Sequence, residues 1–147
     1  MKLNKLKDYP EIIKLLNRRS WTKKRFEENL KKKYFLQSEA DTLVNQAIEL
    51  GLINDDKWTK IYINKKNSNI KSNRAIEQDL LKVGICRKII DKNISKRNDD
   101  EACSNAIEYK KKRIPENKQD KTKILYNYLM SKGFSSDLVY KLLKIEQ

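Results

Sequence analysis

Apolar residues along the chain recur at spacings of three and four and hardly ever alternate, so the pattern predicts helices and gives strands no support. Tyr9-Pro10 opens the first helix with proline in its first turn, and Ile12, Ile13, Leu15 and Leu16 form its stripe. Phe26 and Leu30 fall four apart in a second helix that Thr22 can cap. Ser38, with Asp41 three residues on, reads as the capping box of a third, whose stripe is Ala40, Leu43, Val44, Ala47 and Ile48. The stretch GLINDDKWTKIYI (51–63) then reads as punctuation between helices. Gly51 suits the left-handed end of helix three, Leu52 and Ile53 pack beneath the turn, and Asn54 or Asp55 caps helix four. Asp56 lies in that helix's first turn, where the dipole favours negative charge, and Trp58, Ile61 and Tyr62 supply the inward face.

The pattern repeats. Phe26, Leu30 and Phe35 have the same spacings as Ile76, Leu80 and Ile85, and as Leu125, Leu129 and Phe134, which puts Tyr34, Gly84 and Gly133 in register. In the second and third copies the glycine ends one helix and another begins near Cys86 or Ser135, after which Ile89, Ile90 and Ile94 match Leu138, Val139 and Leu143. A further helix precedes each copy, at 9–18, 55–66 and about 100–112. The expected fold is all-α: about nine short helices in an elongated stack of three tandem three-helix units, residues 1–53, 54–98 and 99–147. The polar stretches Lys65–Lys71 and Arg113–Asp120 read as loops within units two and three, and Lys96–Asp100 as the segment between those units.

Composition adds a partner to this picture. With 38% hydrophobic residues in 147 the core must be modest, and 34 basic against 20 acidic residues give a net charge of +14. Abundant Lys, Asn and Ile fit an AT-rich genome, but that bias does not explain an excess of basic over acidic residues, which points to a polyanion or an acidic protein surface. Residues 54–98 hold 12 basic and 5 acidic residues, against 12 and 7 in 1–53 and 10 and 8 in 99–147, so the middle unit is the most basic. The clusters are Arg18-Arg19, Lys23-Lys24-Arg25, Lys31-Lys32-Lys33, Lys65-Lys66, Lys71 with Arg74, and Lys110 to Arg113. Each alone suits a solvated helix face; in a row along a stack they suit a filament or a nucleic-acid backbone.

Catalytic chemistry is poorly provided for. There is no histidine, no phosphate-cradling glycine loop and no nucleophile elbow, and a metal site would need Asp55, Asp56, Asp99, Asp100 and Glu101 to converge. Cys86 and Cys103 have no metal spacing and read as reduced, half-buried core residues. No apolar run approaches the ~20 residues of a membrane span, and the N-terminal segment has no apolar signal core, so a cytoplasmic monomer without cofactor is expected.

Several motifs in order resemble one family. Leu15-Leu-Asn-Arg-Arg-Ser-Trp-Thr22, the GLINDDKWTKIYI stretch, Leu80-Leu-Lys-Val-Gly-Ile85 and Ser131-Lys-Gly-Phe-Ser135 are similar to the successive signatures of the bacterial RecX regulatory proteins, modulators of the RecA recombinase, from about Ile12 to Leu143. The chain departs from the family pattern at Ser72-Asn73, where Gly-Pro is usual, at Ala75 and Glu77, where arginines are usual, and at Val83. The resemblance implies a non-catalytic protein lying in the groove of the RecA filament on single-stranded DNA and restraining ATP hydrolysis, strand exchange and coprotease activity. On that reading Arg18, Arg19, Lys23, Lys24, Lys65, Lys66, Lys71 and Arg74 supply most contacts, with Lys31, Lys110 and Lys111 secondary. The rival reading is a basic helical nucleic-acid-binding protein without a recombinase partner, although its second helices are poor in residues suited to reading bases.

Overall fold

The computed structural model describes residues 5–33 and 35–145, so Tyr34, one of the three positions aligned above, lies outside the described residues. Among these, the chain forms nine α-helices and two 3-10 turns, with no strand. Helices α1 (Pro10–Arg18), α2 (Lys23–Lys32) and α3 (Gln37–Glu49) gather around Leu16, Phe26, Leu30 and Leu43. Helices α4 (Asp55–Ile63), α5 (Asn73–Lys82) and α6 (Arg87–Ile94) enclose Ile63, Ile76, Leu80, Ile85 and Ile90. Helices α7 (Asp99–Lys111), α8 (Lys121–Ser131) and α9 (Ser136–Leu143) enclose Cys103, Ala106, Leu129, Phe134 and Val139. Three small cores replace one large one, and the surface reflects it. The chain exposes 10070 Å², against roughly 7,900 Å² for a compact monomer of this mass. The stack is therefore elongated.

Most helix starts follow the side chains that can accept the first free N–H groups. Thr22, Asn54, Ser72 and Ser135 cap α2, α4, α5 and α9 through side-chain oxygens that accept from Arg25, Lys57, Ala75 and Leu138 N–H. Helix α3 departs from the expected start: it begins at Gln37, and Glu39 reaches back to accept from Leu36 N–H at 2.9 Å, so Ser38 and Asp41 lie inside the first turns instead of forming the box. Helix α4 is rotated from the expected face. It buries Thr59 and Ile63, with the stacked pair Trp58 and Tyr62 half-buried beside them, and leaves Ile61 51% exposed. Thr59 can be buried because its hydroxyl donates to Asp55 O at 2.8 Å. Ile53 is buried beneath the Gly51 turn as expected, whereas Leu52 and Ile48 lie on the surface. Of the two cysteines, both free thiols, Cys103 is a core residue but Cys86 is exposed at the N-cap of α6.

The units are joined twice by the same device. At the first joint, Thr22 Oγ1 donates to Val83 O at 2.7 Å and Lys23 N–H donates to Asp55 Oδ1 at 2.9 Å. At the second, Ser72 N–H donates to Lys132 O at 3.0 Å and Asn73 N–H to Asp99 Oδ1 at 2.7 Å. In both cases the start of one helix seats on the turn just before a glycine of the next unit, and the first acid of that unit caps it from outside. Gly84 and Gly133 are needed on two counts. Their φ values are +88° and +89°, and a Cβ would collide with the Lys24 stem at Gly84 and with Ser72 Oγ at Gly133. Arg97 braces, from within the second unit, the helix start that enters the later joint. It is half-buried in the segment between α6 and α7 and donates to Asn73 Oδ1, Ser68 O and Lys71 O.

Candidate nucleic-acid interface

The basic residues singled out by sequence fall into three situations. Arg18 ends α1 and is exposed, as are Lys66 in the loop after α4, Arg74 in the first turn of α5 and Lys111 at the end of α7. Others are steered by neighbours while keeping their charge outward: the Arg19 guanidinium lies 3.9 Å from the Trp21 ring centroid, Lys65 Nζ lies 6.0 Å from that of Tyr62, and the Lys24 stem packs on Gly84. Lys23, at the start of α2, gives its backbone N–H to Asp55. Two are paired within the fold. Lys31 meets Glu27 at 3.3 Å on its own helix, and Lys71 Nζ lies 2.8 Å from Asp79 Oδ2, to which Tyr62 also donates at 2.6 Å.

This last network fixes charge as well as position. The hydrogen bond to Asp79 raises the Lys71 pKa above its ordinary value. Burial pushes the Asp79 carboxyl up, but the hydrogen bonds from Lys71 and Tyr62 outweigh it and hold Asp79 below the usual range. Both partners are thus charged near neutral pH, and Lys71 offers an external ligand less than its sequence position promised. The adjacent acids of α4 are likewise structural. Asp56 is held well below the ordinary carboxylate range by Lys60, Asn93 and Lys92, and no group of three or more His, Cys, Asp or Glu among the described residues is placed to hold a metal ion.

The fold brings Lys71 and Lys110, far apart in sequence, to one cleft of about 480 Å³ between α7, α8 and the loop before α5. Tyr109, Arg113, Tyr128 and Lys132 complete its principal lining, and none of its lining residues is acidic. The Arg113 guanidinium sits 3.6 Å from the Tyr109 ring centroid, and the Lys110 and Lys132 ammoniums sit 5.1 and 5.4 Å from that of Tyr128. Tyr109, Arg113, Tyr128 and Lys132 were not among the site residues read from sequence. Arg113 closed a recognised basic run and Lys132 a recognised Lys-Gly turn; the tyrosines had no signal beyond helical spacing, which equally suits a core.

Fold and surface together define a class: a tandem repeat of three-helix units, hydrogen-bonded at each joint, that displays basic side chains from helix ends and loops. No protein-family model matches the chain. The chain is 30% identical over 138 residues to the regulatory protein RecX of Clostridium beijerinckii, a match that covers 90% of this chain and 64% of that protein. It is 28% identical to the RecX of Caldanaerobacter subterraneus, over 90% of this chain and 67% of that protein, and 26% identical to that of Chlorobium phaeobacteroides, over 88% and 87%. The crystal structure of RecX from Lactobacillus salivarius superimposes with a TM-score of 0.73 at 21% identity, covering 94% of this chain and 93% of that one. Over about nine tenths of its length the chain is thus similar to RecX regulatory proteins in sequence, and it shares the fold of a solved RecX structure. It spans about two thirds of the length of the clostridial and Caldanaerobacter relatives.

Proposed function

We propose that this protein is a non-catalytic regulator that binds the RecA recombinase filament on single-stranded DNA in the cytoplasm, as a monomer, and mainly inhibits its ATPase, strand-exchange and coprotease activities. The observation that carries this reading is the repeated joint, which holds three basic units as one extended body with the period of a repeat. A groove lined by protein acids and DNA phosphate would meet such a body along its length, and the summed charge would draw the two together. Arg18, Arg19, Lys23, Lys24, Lys65, Lys66 and Arg74 supply the main contacts, with Lys31, Lys71, Lys110 and Lys111 secondary. The likeness to RecX proteins supports the same reading, since these relatives are named regulatory proteins.

The test is single-stranded-DNA-dependent ATP hydrolysis by the matched recombinase, at constant salt and with DNA in excess. Inhibition is expected below one protein per recombinase subunit. Should inhibition set in only as the protein saturates the DNA, the recombinase reading fails, and the rival takes its place: a nucleic-acid-binding protein that masks the strand. The basic, tyrosine-lined cleft between α7, α8 and the loop before α5 is the specific feature that favours that rival.

A further inference from the structure

We propose that the cleft between α7, α8 and the loop before α5 is a binding site for a nucleobase together with its adjoining phosphates. This rests on the part of the reading above in which the basic surface meets single-stranded DNA, and it is independent of the recombinase. Four observations converge. The cleft volume, about 480 Å³, falls within the roughly 300–1,000 Å³ of small-ligand pockets, with room for one nucleotide. Its walls carry cations without a carboxylate, the arrangement a phosphate requires. The Arg113 guanidinium sits 3.6 Å from the ring centroid of Tyr109, itself 40% exposed, so a guanidinium backed by an aromatic ring is offered for stacking. Finally, the Tyr128 hydroxyl is buried with no hydrogen-bond partner among the described residues. Buried polar groups are normally satisfied, and a phenol in this position can donate to a phosphate or a base carbonyl. Burial raises the Tyr128 pKa, so the hydroxyl keeps the proton it would donate.

An acidic peptide would use the cations but not the planes. The combination of flat, electron-rich surfaces with cations on their faces suits a base that stacks while its phosphates meet Lys110 and Lys132. Tyr109 and Tyr128 stack on each other, with ring centroids 6.3 Å apart at an interplanar angle of 18°, and so hold the aromatic wall of the cleft as one unit.

The experiment measures binding of the full chain, by fluorescence anisotropy, to a labelled oligo-dT and to an abasic oligonucleotide of equal length and charge. The unaltered protein is expected to bind oligo-dT at least fivefold more tightly. Tyr109→Ala is expected to weaken oligo-dT binding by about 5- to 150-fold, the range of one lost stacking contact, and to leave abasic binding nearly unchanged. Tyr128→Phe keeps the packed ring, removes only the hydroxyl and is expected to weaken oligo-dT binding about threefold. Lys31→Ala, remote from the cleft, is expected to weaken both oligonucleotides equally. Displacement of oligo-dT by thymidine monophosphate would assign the site to free nucleotides, and its failure would assign it to the strand. Equal affinity of the unaltered protein for the two oligonucleotides, binding of neither, or an equal loss on both in Tyr109→Ala would overturn the proposal. Recombinase ATPase that stays uninhibited while these affinities hold would overturn the regulator reading alone.

Discussion

Asp55 shows how one side chain serves two neighbours. It opens α4, yet its carboxylate caps α2 of the preceding unit through Lys23 N–H. Burial raises its pKa above the ordinary 3.8, partly offset by that hydrogen bond. A raised carboxyl pKa means that the folded chain holds the proton more tightly than the unfolded one. The resulting contribution to stability is fully present below the unfolded value and is lost as pH rises through the folded one. Asp55→Asn keeps an oxygen for Lys23 N–H and removes the titration. Its urea midpoint at pH 7 is expected to equal or exceed that of the unaltered protein, with a flatter dependence on pH above about 4. A clear fall at pH 7 would mean that the ionised carboxylate is worth more to the joint than its desolvation costs. The Asp55 pair could not be read from sequence, because a helix-start acid looks the same whether it caps its own helix or another.

At the scale of the helix and its turn, the three glycines separate by what surrounds them. All have positive φ, but a Cβ at Gly51 meets nothing within 4 Å, whereas at Gly133 it meets Ser72 and Ala75 of the neighbouring unit. Gly51→Ala is therefore expected to lose only the left-handed strain, roughly 1–2 kcal/mol. Gly133→Ala adds a collision within a buried joint and is expected to lose about 2–4 kcal/mol. Urea denaturation of the two variants checks this, and equal losses would mean that the joint yields freely. Much of this level was legible in advance. Thr22, Asn54 and Ser135 marked helix starts because a side-chain oxygen can satisfy an N–H locally, and the repeat placed Gly84 and Gly133 at corresponding turns. The apolar pattern did not fix the rotation of α4, because Thr59 counts as polar in it although its hydroxyl can be satisfied one turn back, at Asp55 O of the same helix. Nor did it reveal Arg97, a charged residue in a polar connecting segment whose partners, Asn73, Ser68 and Lys71, lie more than twenty residues away.

For the molecule as a whole, the proposed contacts predict a dependence on charge. Reversing Lys65, Lys66 and Arg74 to Glu, in the most basic third of the chain, is expected to lower filament affinity at least tenfold at moderate salt. Co-sedimentation with recombinase filaments would show it, and an unchanged affinity would remove these residues from the interface. We also propose unit boundaries at 53/54 and 98/99, for which hydrogen exchange should give three protected blocks with the least protection between them. The candidate site was legible at this scale only in part. Charge runs identified exposed cations such as Arg18, Lys66 and Arg74, but the pairing of Lys71 with Asp79 and the meeting of Lys110 with Lys132 depend on how helices pack within the second and third units. The repeated joint has one further consequence. It is directional, with a helix start on one side and a glycine turn on the other, and the middle unit carries both halves. Such a connection has no built-in stop and, left to itself, would polymerise. In the third unit the position matching Thr22 and Ser72 is Lys121, and α8 starts from Asp120 in a left-handed conformation with no side-chain cap. The third unit can receive this connection from the second, but at the matching position it has no side-chain cap with which to repeat it.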